Sequence, residues 1–228
     1  MQKGYKRTSI EKSAQEKLLL KKNKKFQTIF IYIMLVVILV SFVAWFLPTV
    51  TLKFDVGEQY ASMLGDVDDT LNVNSPKILT ALFTSKYNAL TYIVKNTPIL
   101  QKVYEMGFGS MIYDQADEAL IDTAYLALYV AKAMLLIAFL VMITLFGLTF
   151  VKKLKCKNSY AYISVIVYAS LNIFVFIAVV IATAFNTPAF QIGVGVGTWF
   201  SFLVALVLLV FGIIMLMQDK QISKNNNK

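Results

Sequence analysis

The sequence predicts an all-α integral membrane protein: a four-transmembrane-helix bundle with a helical extracytoplasmic loop domain between spans 1 and 2. Three observations predict it. Four long apolar runs occur in a chain that is 58% hydrophobic, above the ~45–50% usual for soluble domains. Lysines gather beside those runs on alternate connections. A long acidic stretch with helix-starting signals separates the first run from the second.

The first span is read at 26–47, where the side-chain polar groups are Gln27, Thr28, Ser41 and aromatic tips. Its length suffices for a hydrocarbon core of ~30 Å. It is too long for the apolar part of a signal peptide, and no small-residue cleavage site follows it before Pro48. The second span, 123–151, combines a charge-free run from Ala133 to Val151 with an outer helical extension that contains Lys132. The third and fourth spans, 160–185 and 192–217, carry no charge. Short connections, a basic turn at 152–159 and an outer turn at 186–191, force antiparallel neighbours.

Direction follows from the lysines. The segment 1–25 holds nine Lys/Arg against two acids, 152–158 holds four lysines, and the tail 218–228 holds three lysines against Asp219. The loop 48–122 instead holds five lysines against ten acids. Basic segments face the cytoplasm, so both termini are expected there, in a plasma membrane. Lysine is abundant, Arg7 is the lone arginine, and the chain ends Asn225-Asn226-Asn227-Lys228. That composition suggests an AT-rich, bacterial genome.

The loop 48–122 is too long to be a bare connection. Ser75-Pro76 reads as a capped helix start, with apolar residues at helical spacing from Ile78 to Val94. Thr97-Pro98 starts another helix through Met106, and Gly107-Phe108-Gly109 punctuates the chain. A further helix from Asp114 to Lys132 is expected to run into the second span. The loop thus reads as a helical cap above the outer leaflet, available to a partner or simply covering the bundle.

No residue set amounts to a reaction centre. The chain has no histidine and one cysteine, which removes the commonest general base and metal ligand and any multi-cysteine cluster. No catalytic residue, metal site or cofactor is therefore assigned. The stretch from Gly65 to Asn74 spaces oxygen groups like a calcium loop. However, Leu71 stands where glycine is needed and Lys77 where a closing acid belongs, so a solvated acidic turn fits better.

Lys132 is a possible intramembrane polar site, or else a boundary residue whose ammonium snorkels to the headgroups. Asn172, mid-span, needs a hydrogen-bond partner and is read as a helix-packing residue together with Gly193 and Gly197. Those glycines are taken to share one helix face at small-xxx-small spacing. Trp45 and Trp199 read as interface anchors. Thr8-Ser9-Ile10-Glu11 resembles a capping box. Lys21, Lys22, Lys24, Lys25, Lys152, Lys153 and Lys155 are the expected contacts to anionic inner-leaflet headgroups. Cys156, among the last of these, is either an acylation site or an inert thiol.

Four spans with a large first outer loop resemble the claudin-type arrangement in topology. The paired cysteines and tryptophan motif of that family's loop are absent, and the loop reads as helical, so no residue role is carried over. The expected function is a non-enzymatic interaction or assembly subunit acting through the extracytoplasmic loop. Its partner is a membrane protein or a second copy, with no nucleic acid. The competing classes are a channel or transporter subunit, with a polar path near Lys132 and Asn172, and a lipid-acting enzyme using Asp117, Glu118 and Asp122.

Overall fold

The computed structural model describes residues 28–55, 63, 69–83, 89–108, 118–150, 158–186 and 190–226. The described chain is mostly helical. Three helices are long and apolar enough to cross a membrane: α5 (Glu118–Phe150), α6 (Asn158–Ala182) and α7 (Val196–Asn226). The chain is a membrane protein on that basis. A shorter apolar helix, α1 (Thr28–Val43), packs against all three. Phe30 meets Phe211 of α7 with ring centroids 5.3 Å apart, and Phe42 stacks on Phe139 of α5 at 5.8 Å. The Tyr168 hydroxyl of α6 donates to Ser41 at 3.5 Å.

Helix α1 closes in tight turns at Trp45 and Phe46, whose amides bond Phe42 O and Val43 O. Pro48 has no amide hydrogen with which to continue a helix. The chain then becomes extended as β1 (Pro48–Phe54), which pairs antiparallel with β2 (Thr70–Asn74) on one side and β3 (Phe190–Val194) on the other. The three strands tie the exit of α1 to the connection between α6 and α7.

This sheet corrects the reading of the loop as purely helical. The cause is period-two patterning: Val50, Leu52 and Phe54 are buried in β1 and Leu71 and Val73 in β2, whereas Lys53 and Asn72 are exposed. Such alternation fits a half-buried strand and not a helix. Register sets Val50 between Val73 and Val194, and Leu52 between Leu71 and Ile192. On the other face Thr51 donates to Asn72 at 3.1 Å, while Lys53 reaches Asp69 at 3.7 Å.

The cap also holds three short helices, α2 (Ser75–Phe83), α3 (Ala89–Asn96) and α4 (Pro98–Val103). Asn74, not Ser75, caps α2, its Oδ1 accepting from Lys77 N at 3.1 Å. Helix α4 opens at Thr97-Pro98 and passes into a π-type turn, Tyr104–Phe108, where Gly107 takes φ 86°. Ile78, Ile93, Val94, Ile99, Leu100 and Val103 form the cap's core, and α2 and α3 both rest on α5. That helix is uninterrupted from the cap into the bundle.

Two further expectations change. The outer turn and start of the fourth span are replaced by β3, and the helix begins only at Val196. Trp45 is 8% exposed against Phe139, so it is a core residue, not an interface anchor. Trp199, half exposed, stands edge-on to Phe176 at 4.8 Å. The acidic loop residues Asp66 and Asp68, the 1–25 segment with its capping box, and Cys156 lie outside the described residues.

Candidate functional site: a buried polar column beneath the sheet

The buried Ser, Thr, Asn and Lys side chains among the described residues are Ser41, Thr49, Ser75, Thr97, Lys132, Ser164, Asn172 and Thr198. All but Ser164 lie in the cap or in the half of the bundle nearest the sheet. Thr49 is the knot. Its carbonyl accepts from Thr198 Oγ1 at 2.7 Å and from Gly195 N at 3.0 Å, and its hydroxyl meets Ser75 Oγ at 3.1 Å. Strand β1, helix α2 and helix α7 are thereby joined by polar bonds away from water, where an unmade bond costs ~1–3 kcal/mol.

The backbones approach closely enough for this because of two glycines. A Cβ on Gly195 would overlap Pro48 O, and one on Gly197 would fall 2.7 Å from Leu47 O. Gly193 does not act with Gly197 on a helix face, because it is in β3, and a Cβ there would meet Thr51 O at an ordinary 3.5 Å. The close packing that the small residues permit is against the backbone of residues 47–49, and its second member is Gly195.

Asn172 is buried on the inward stripe of α6, but its Nδ2 donates to Tyr168 O of its own helix at 3.0 Å. Ser41 likewise donates to Ile38 O at 2.6 Å. These groups are largely satisfied within their own helices and lie close to the weak Tyr168–Ser41 link.

Lys132 differs. It is 5% exposed and shares the buried stripe of α5 with Leu135, Phe139, Met142 and Phe146. Among the described residues its ammonium forms no hydrogen bond or ion pair. The apolar stretch of α5 begins at Leu126, so Lys132 lies within it. Since Phe139 contacts Tyr168 with ring centroids 5.6 Å apart, a helical rise of about 1.5 Å per residue sets Asn172 and Lys132 within about a turn of each other in height.

The column offers hydrogen-bond donors and one cation, and no nucleophile held by a base. Among the described residues no three His, Cys, Asp or Glu side chains gather. Lys21, Lys22, Lys24, Lys25, Lys152, Lys153, Lys155 and Asp117 lie outside the described residues, as do the side chains of Glu118 and Asp122. Sequence reading found Lys132 and Asn172 from their polarity in apolar runs. It missed Thr49, Gly195 and Thr198, whose signal was the strand alternation that begins at Pro48. No protein-family model, curated protein or solved structure matches the chain.

Proposed function

We propose that this is a four-span protein of the cell membrane, with both termini in the cytoplasm, acting without catalysis as an interaction or assembly subunit through its cap. The observation that carries this reading is an apolar surface on the cap itself. Tyr104 and Met106 are 57% and 47% exposed on the turn that follows α4, beyond the buried core of Ile99, Leu100 and Val103. Exposed aromatic and methionine side chains on a rigid support suit a protein contact. The exposed apolar face of α1, with Tyr32, Val36 and Leu39, supports a fourth membrane crossing, since lipid is the solvent such a face needs. The lysine distribution supports the direction, and the lysine-rich composition supports a bacterial source.

The partner is a membrane protein or a second copy, with anionic lipid at the basic segments. Tyr104→Lys with Met106→Lys should abolish crosslinking of the chain to its partner in native membranes while leaving its abundance unchanged. Unaltered crosslinking would defeat the reading. A second reading, a channel or transporter subunit, is favoured by one observation, the buried ammonium of Lys132 near the height of Asn172. Solute or ion flux by the purified chain in liposomes, lost on Lys132→Met, would establish it instead.

A further inference from the structure

The buried stripe of α7 runs through Ala205, Leu208, Gly212 and Met215, and at helical spacing its next positions are Gln218 and Asp219. Helix α6 lies alongside. Phe176 meets Trp199 and Phe202, while Tyr162 lies opposite Gly212, where a Cβ would fall 3.6 Å from Tyr162 O. The two helices are therefore antiparallel. The Tyr162 side chain is 1% exposed and, like other long helix side chains, leans toward the start of its own helix. That direction leads from the height of Gly212 toward Gln218 and Asp219.

Two buried side-chain atoms have no hydrogen-bond partner among the described residues, Tyr162 Oη and Gln218 Oε1, and both belong to this end of the bundle. Asp219 is near enough for its charge to act on Tyr162, and among the described residues it forms no ion pair. Buried polar atoms are ordinarily matched, so the pair of them points to a ligand. Gln218 Oε1 and an ionised Asp219 can only accept, and Tyr162 Oη accepts through its lone pairs. An all-oxygen set with one negative charge suits a hard cation. A single carboxylate is too little to hold a divalent ion against its hydration, which leaves a monovalent one. We propose that Tyr162 Oη, Gln218 Oε1 and the Asp219 carboxylate form a binding site for one alkali cation. Gln218 and Asp219 are partly exposed, so the ion enters from the end of α7. Bound there, it links α6 to α7. The site is independent of what the cap contacts and of Lys132.

The test melts the full chain in one detergent with sodium chloride, potassium chloride or N-methylglucamine chloride at equal ionic strength. The expected result is a melting temperature higher by about 3 °C in one or both alkali salts than in the N-methylglucamine salt. Asp219→Asn and Gln218→Leu should each abolish the difference. Both positions are partly exposed, so either variant decides the matter should the other fail to fold. Lys220→Gln, at the exposed next residue, should keep the difference. Three results overturn the proposal: no difference among the salts, which is what a water at the site would give; a difference that survives a site variant; or one that Lys220→Gln also removes, which would mark diffuse screening.

Discussion

At the sheet-bearing end of the bundle, Gly195 and Gly197 let two backbones pass within contact of each other, and Thr49 binds three elements through its own carbonyl and hydroxyl. At the opposite end α5 and α6 line an open apolar groove, and the close approach at Gly212 is to a side chain. A Cβ there would fall 2.8 Å from Ile166 Cγ1, an atom that a rotamer change can move. One end is therefore fixed by backbone geometry and buried polar bonds, and the other is held by apolar packing that side-chain rearrangement can accommodate. The same helices serve both ends, so the difference lies in what the sheet adds.

The sharpest way to break this comparison is a graded glycine series. Gly195→Ala should give the largest loss, at or beyond the upper end of the ~1–3 kcal/mol of overpacking, because Pro48 O belongs to backbone held in the sheet. Gly197→Ala should follow. Gly212→Ala should cost about 1 kcal/mol, as Ile166 can turn away, and Gly193→Ala should stay within about 0.5 kcal/mol. Thermal melts of the four variants in one detergent check the order. Equal losses at Gly195 and Gly212 would mean that the two ends are alike.

Next in size is Lys132→Met. Among the described residues the ammonium has no ion-pair partner, so removing the charge while keeping the stem's packing should raise stability by at least about 1 kcal/mol, read as a higher melting temperature. A lower one would mean that the ammonium has a partner, and the polar column would then be a closed network.

Thr198→Val sharpens the same region on a smaller scale. It keeps the shape and removes the donor to Thr49 O, which still accepts from Gly195 N. The expected loss is about 1 kcal/mol, seen also as faster amide exchange along β3.

How far each end could be read from sequence follows the same division. Long apolar runs need no partner to be recognised, since hydrocarbon demands a helix wherever the backbone must satisfy itself. Three of the four expected spans accordingly coincide with helices α5, α6 and α7. The sheet was less legible because each strand is short and two of them lie beside apolar helical runs: Pro48-Thr49-Val50 follows the turns that close α1, and Ile192-Gly193-Val194 leads into α7. In such places the helical pattern masks the alternating one. Pairing across the chain makes them strands, Val50 with Val73 on one side and with the distant Val194 on the other. Lys132 and Asn172 stood out by polarity alone, but their bonding could not be inferred, because whether a mid-span amide turns to its own helix or to a neighbour depends on packing.

Asn172→Leu examines that last point and should have the smallest effect. The amide nitrogen reaches Tyr168 O four residues back, a carbonyl that already accepts the helical bond of residue 172 itself. Losing the side-chain bond therefore leaves no buried acceptor empty. Interhelical bonds of this kind average about 0.6 kcal/mol in membrane bundles, and an intrahelical one offers no link between helices to lose. Leucine in turn adds apolar contact on the stripe shared with Tyr168 and Val175. The expected change is within about 0.5 kcal/mol of zero, with α1 still docked, as reported by the fluorescence of Trp45 beside Phe139. A loss of about 2 kcal/mol, together with release of α1, would show Asn172 fastening helices, and the polar column would then reach from the sheet into mid-bundle.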